Sequence, residues 1–153
     1  GRVAINGREE QLTITPCSPV ATPEALAEVR RSGNNTIQLE AGAVAPHLFA
    51  VCDTLGLYVI AQAPIDSHAA GSSRNVGGNP SNNPAWVPFY LERVENCFHA
   101  VKRHPSVIGF SIAARSANGI ALYESYRRLK ELGDTRPVFY PDAEGEWNTD
   151  RIE

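Results

Sequence analysis

Apolar residues along the chain alternate between short continuous runs and stretches at helical spacing. Val3–Ile5 and Leu12–Ile14 flank Asn6-Gly7, a dipeptide that favours a tight hairpin turn. Thr22 suits a helix N-cap and Pro23 the first helical position; Leu26, Val29 and Arg30 carry the helical spacing on to Gly33. Thr36–Leu39 reads as a short strand. Pro46 then opens a helix whose apolar face is Leu48, Phe49, Val51, Cys52 and Leu55, with Gly56 as its stop. Leu57–Ala61 is a continuous apolar run, the pattern of a strand covered on both sides. A third helix is predicted from Pro84, capped by Asn83, with Trp86 among its core positions. It runs to His104-Pro105, where proline forbids continuation. Val107–Ile112 is the next buried strand. Ser116 is the expected cap of a fourth helix carrying Ile120, Leu122, Tyr126 and Leu129 and stopped by Gly133, and Pro137–Tyr140 is the last strand.

The order strand, helix, strand, helix predicts an α/β fold of parallel (β/α) units. The count is four to five strands and four helices. A complete eightfold barrel needs about 250 residues, so the 153 residues here read as one partial domain, about half of a TIM barrel. Residues 62–83 form a long strand-end loop rich in Gly, Ser and Asn, and a loop of that length in a compact domain is usually functional or mobile. Residues 141–153 are acidic and polar and read as a tail.

Composition narrows the classes of partner. Hydrophobic residues make up 42% and charged residues 20%, the balance of an ordinary globular chain. The formal net charge is −3 and no basic block is present, which argues against nucleic acid. No apolar run approaches the ~20 residues that cross a bilayer, so no membrane partner is expected. Cys17, Cys52 and Cys97 are widely spaced, giving neither a disulfide framework nor a zinc site. With no Met anywhere, the chain is expected to be a piece of a larger protein whose remaining domains would be its partners. An isolated half-barrel would expose two strand edges, through which a homo-oligomer could form. The compartment is left open.

Several segments together resemble one family. VCDTLGLYVIAQAPIDSHAAG, at 51–71, is similar to the catalytic barrel of glycoside hydrolase family 2, the β-galactosidase and β-glucuronidase group. There a helix ends in a Cys-Asp-x-x-Gly-Leu-Tyr-Val run and leads to a strand end of the form Asp-Glu-x-Asn-x-Glu-x-His-Gly. NPAWVPFYLERVENCFHAVKRHPSVIGFSIAARSANG resembles the next helix and strand through Pro84, Trp86, Glu92-Arg93 and the run Arg103 to Ile108. GDTRPVFY at 133–140 resembles an Asp-x-x-Arg-Pro-Val strand, and INGREEQLTI a weakened Leu-Asn-Gly-Lys opening strand.

The departures fall on the chemistry. The family's Gly-Asn-Glu-Ser, whose Glu is the general acid/base, aligns with Ala113, Ala114, Arg115 and Ser116. Its Arg-x-Ser-His-Tyr-Pro strand end aligns with residues 38–43, so the sugar-binding His is absent. Its Asp-Glu becomes Ala61-Gln62, and its Asn becomes Pro64. Asp66 and His68 survive in kind; in β-galactosidase-like members those positions help hold magnesium beside the acid/base Glu. The nucleophilic Glu of the family comes from a later strand, beyond residue 153.

Retaining hydrolysis needs two carboxyl groups about 5–5.5 Å apart. An arginine, with a pKa above ~12, holds the proton that the leaving oxygen requires. No catalytic residue is therefore assigned, and no cofactor is implied. A pair of Asp66 with Arg115 is expected. With Arg115 where a third ligand would stand, no metal site is assigned, Asp66 and His68 being the remaining donors. Asp66, His68, Arg115 and Glu40 are the candidate sugar-binding residues. The resemblance then implies a catalytically inactive fragment with a carbohydrate-binding or scaffold role, or else half the barrel of an active O-glycosyl hydrolase with a rearranged site.

Overall fold

The computed structural model describes residues 1–151. A two-stranded antiparallel hairpin opens the chain, β1 (Arg2–Ile5) against β2 (Arg8–Gln11), turning at Asn6 and Gly7, whose φ angles are 51° and 76°. The sequence pattern had placed the second strand at Leu12–Ile14. The two-residue turn fixes the register instead, pairing Ile5 with Arg8 at once. Ile14 passes to the main sheet.

That sheet has five parallel strands in the order β3 (Ile14–Cys17), β4 (Thr36–Leu39), β5 (Tyr58–Gln62), β6 (Val107–Ser111) and β7 (Val138–Phe139). Each crossover carries a helix: α1 (Pro23–Arg31), α2 (Leu48–Leu55), α3 (Val87–Val101) and α4 (Ile120–Glu131). The α/β partial-barrel reading is thus realised, with five strands and four helices among the described residues. No described helix is long and apolar enough to cross a membrane.

Local signals account for the helix ends. Thr22 accepts a hydrogen bond from the Ala25 N–H at 3.1 Å, and Gly33 and Gly56 take positive φ after α1 and α2. Asn83 accepts from the Ala85 N–H at 3.0 Å, but the turn it caps, Pro84–Trp86, is 3₁₀, and α3 proper starts at Val87. Ser116 does not cap α4. Gly119 holds that place, and the Ser116 hydroxyl instead accepts from the Ser67 N–H at 3.1 Å.

Alternation along the strands separates two faces. Ile37, Leu39, Val59, Ala61 and Phe110 join Leu26, Leu48, Cys52, Val94, Phe98 and Leu122 in one core beneath the helices. Leu26, Leu48 and Leu122 are fully buried, each contributing about 2 kcal/mol by removal from water. Pro16, Gln38 and Gln62 line a cleft on the opposite face. Trp86, expected in the core, is 46% exposed and tilts against the exposed Phe89 ring at 5.7 Å. Trp86 ends the 3₁₀ turn before α3 and Phe89 lies in the first turn of α3, both facing solvent.

The N-terminal ends of the strands are tied by two polar sets. Asp53, at the end of α2, accepts from the Ser106 N–H at 3.1 Å and lies 3.2 Å from His104 Nδ1; the His104 ring stacks on Phe49. Arg136 reaches Asp134 at 2.6 Å, donates to the carbonyls of Val107 and Lys102, and lies over the Phe110 ring.

The expected polar tail is packed through Asp150, and Ile152 and Glu153 lie outside the described residues. Asn148 is fully buried, and its amide exchanges reciprocal hydrogen bonds with that of Asn118 at 2.8 and 2.9 Å. Thr149 and Asp150 bond the outward-facing groups of Tyr140 and Val138, covering that edge of β7. A polar segment is held inside because its amides satisfy one another.

Candidate functional site

The C-terminal ends of β3, β4, β5 and β6 and the segment after β7 surround a cleft of about 660 Å³. Glu40 comes from the turn after β4, Asp66 from the segment after β5, Arg115 from the turn after β6, and Asp142 from beyond β7. Gln38 and Gln62 line it from the sheet itself. Strand ends converge here because parallel strands all point the same way, so each following loop opens onto one rim.

Asp66 is the hub. Its Oδ2 accepts from Arg115 Nη2 at 2.8 Å, and its Oδ1 lies 2.8 Å from His68 Nδ1. Burial alone would raise the Asp66 pKa, but the hydrogen bonds from Arg115 and His68, with the Arg115 charge, outweigh it and hold the carboxyl below its usual value. Around the hub the long loop is not shapeless. Asn79, fully buried, bonds the Ser67 hydroxyl and the carbonyls of Ser67 and Gly71, tying residues 67–71 to the turn at Pro80–Asn82.

The expected pairing of Asp66 with Arg115 is what the structure contains. Glu40 shares their cleft, whereas His68 lines an adjoining depression with Arg74, Arg115 and Glu144. Sequence reasoning had not singled out Gln62 or Asp142 as site residues. Their positions, Gln62 as the last residue of β5 and Asp142 three residues past β7, are the signal that marks both. Tyr123, Arg74 and Glu146 form a further cluster, with Arg74 Nη1 2.6 Å from Glu146 and the Tyr123 hydroxyl donating to the same carboxylate.

The magnesium position that the family resemblance raises is not compatible with these donors. One Asp66 oxygen already binds a guanidinium, and a divalent cation there would face Arg115 directly. Arg115 itself cannot act as a general acid, since arginine does not release its proton near neutral pH. Burial pushes the thiol of Cys52 up to about 12 and that of Cys97 to about 11, and raises that of Cys17.

A parallel α/β sheet with its cleft at the carboxyl rim defines a barrel-type scaffold. Comparison with known proteins narrows it. The model of glycosyl hydrolases family 2, TIM barrel domain, matches residues 33–152, and the chain belongs to that family. It is 31% identical over 123 residues to a β-galactosidase of Aeromonas hydrophila, covering 80% of this chain and 12% of that protein. It is 33% identical over 95 residues to a β-galactosidase of Pectobacterium atrosepticum, covering 62% of this chain and 9% of that one. The chain therefore spans a small part of these relatives. Among solved structures, β-glucuronidase 3 of Bacteroides uniformis superposes with a TM-score of 0.63 at 18% identity, covering 88% of this chain and 19% of that one. The β-glucuronidase of Parabacteroides merdae gives 0.64 at 17%, again covering 88% and 19%. These likenesses establish the fold.

Proposed function

We propose that this chain is a non-hydrolytic carbohydrate-binding element of a longer family 2 protein. What supports this most is Arg115, which the family resemblance aligns with the acid/base Glu and which is bound to Asp66 across the rim of the cleft. A general acid typically contributes 10²–10⁴-fold to such a reaction, and a fixed cation there also opposes an oxocarbenium-like transition state. The cleft is open to solvent, and Gln38, Glu40, Gln62, Asp66, Arg115 and Asp142 stand in its largely apolar wall as groups that could bind sugar hydroxyls.

Two carboxylates in the same cleft, Glu40 and Asp142, favour a second reading, in which a longer parent hydrolyses O-glycosides through a rearranged site. The test is turnover of a panel of chromogenic β-glycosides by the full-length protein, beside calorimetric titration of the 153-residue chain with monosaccharides. The first reading expects binding without turnover. Turnover by the full-length protein that disappears in Glu40→Gln or Asp142→Asn would overturn it and establish the second.

A further inference from the structure

We propose that residues 72–78 are a gate on the flank of the strand-end cleft, closed by a single side chain, Arg74, and able to open while the rest of the fold stays intact. The gate needs no assumption about what the cleft binds.

The segment has little of its own to hold it down. Residues 71–77 are all exposed, and the large apolar side chain among them, Val76, is 71% exposed. Opening therefore pulls no apolar side chain out of a core, which is the mark of a unit that opens locally at low cost. Two internal bonds shape it: the Gly78 N–H donates to the Asn75 carbonyl and the Asn79 N–H to the Ser73 carbonyl, each at 2.9 Å. Its base is fixed, because the fully buried Asn79 amide donates to the carbonyls of Gly71 at 2.8 Å and Ser67 at 2.9 Å. Gly71 enters the segment at φ 88° and ψ 179°, a backbone conformation reserved to glycine, so the hinge point carries no side chain.

Across the gap, Arg74 is the side chain of this segment that bonds the body of the protein. Its Nε donates to the Asn118 carbonyl at 3.0 Å and its Nη2 to the Tyr123 hydroxyl at 2.7 Å, while Nη1 lies 2.6 Å from Glu146. The acceptors come from the turn before α4, from α4 itself and from the segment after β7. They also hold one another. The Tyr123 hydroxyl and the Asn118 amide both donate to the Glu146 carboxylate. The seat therefore persists when Arg74 leaves it, and a guanidinium 43% exposed in the closed state passes easily into water. What the gate covers is the adjoining depression of about 530 Å³. Gly71, Ser72 and Arg74 wall one side of it, facing His68, Ala117 and Asn118, and it shares Arg115 and Asp142 with the cleft. Swinging residues 72–78 outward removes that wall and opens the cleft sideways.

The experiment is amide hydrogen exchange, read residue by residue by NMR, on the chain and on Arg74→Ala and Glu146→Gln, with Arg31→Ala as a control on a distant exposed pair. The Gly78 and Asn79 amides should exchange about tenfold faster in Arg74→Ala, the size expected for a few exposed hydrogen bonds to one side chain. Glu146→Gln, which leaves the Asn118 and Tyr123 acceptors in place, should give a smaller gain, and Arg31→Ala none. Sheet amides such as Val59 and Phe110 should keep their rates in every variant. Maleimide labelling then reads the gate itself. The thiol introduced by Ala117→Cys should label faster with Arg74→Ala than without it, while Cys97, in α3, labels at an unchanged rate. Unchanged exchange at Gly78 and Asn79 in Arg74→Ala overturns the clasp. Faster exchange there without faster labelling at position 117 overturns the gate. Faster exchange throughout the sheet would make Arg74 a tie of the whole fold and overturn both.

Discussion

At the N-terminal ends of the strands, Arg136 is 22% exposed and bonded to Asp134 and two main-chain carbonyls; at the opposite rim, Arg115 is 67% exposed and has one carboxylate partner. Both are arginines next to an aspartate in a family 2 barrel sheet, yet they do different work. The lower pair staples a helix end and two strands together. Its residues lie in the Asp-x-x-Arg-Pro-Val segment that carried part of the family resemblance. Asp53, His104 and Ser106 do the same for the Cys-Asp and His-Pro-Ser segments. The segments that mark the family are thus its structural ties, and they persist here. The residues that differ from the family stand at the rim, where chemistry is placed and stability is not. A sheet can change its residues at one end while the ties at the other end keep the fold.

The comparison can be broken most directly by Arg136→Ala. That change strands the Val107 and Lys102 carbonyls and leaves Asp134 without its partner, and should cost about 2–3 kcal/mol in urea unfolding. A loss no larger than that of an exposed pair would remove the distinction between the two ends.

Acid provides a second, smaller lever. Hydrogen bonds from Arg136 lower the Asp134 pKa against the effect of burial. At Asp53 and Asp150 burial acts upward but is outweighed, by Ser106 and His104 for the first and by Lys130 and Tyr126 for the second. Each folded-state value lies below that of the unfolded chain, about 3.9 for aspartate. The unfolded state therefore binds more protons as pH falls through this range. The stabilisation is fully present above about pH 4 and is lost as pH drops through the folded values. Urea midpoints should fall below pH 4, and Asp134→Asn should flatten that limb. An unchanged limb in the variant would show that the lower tie carries no proton linkage.

The smallest effect is expected from Arg115→Ala. An exposed ion pair contributes at most about 1 kcal/mol, so stability should barely change. The Asp66 carboxyl, freed of its guanidinium, should instead titrate at higher pH, read by carbon NMR of the side chain. A large loss of stability would make Arg115 a structural tie after all.

Much of this molecule was legible in its residues. The strands β4 to β7 and the four helices follow from apolar spacing, Gly33 and Gly56, Thr22 and the prolines, all signals that act within a turn or two of chain. The pairing of Asp66 with Arg115 was legible too, because the family segments set both at strand ends. Where reading failed, the partners lay far apart. Ser116 looked like a helix cap but bonds Ser67, 49 positions away. The polar segment after Pro141 looked loose but is held by Asn118, 30 positions from Asn148. Trp86 fits an apolar helical spacing and yet is half exposed, because only the packed sheet decides which side of α3 is covered. Local dihedral preference and capping are written residue by residue and determine the elements. Burial, and the meeting of Glu40, Asp66, Arg115 and Asp142 at one rim, come from groups that only the folded sheet brings together.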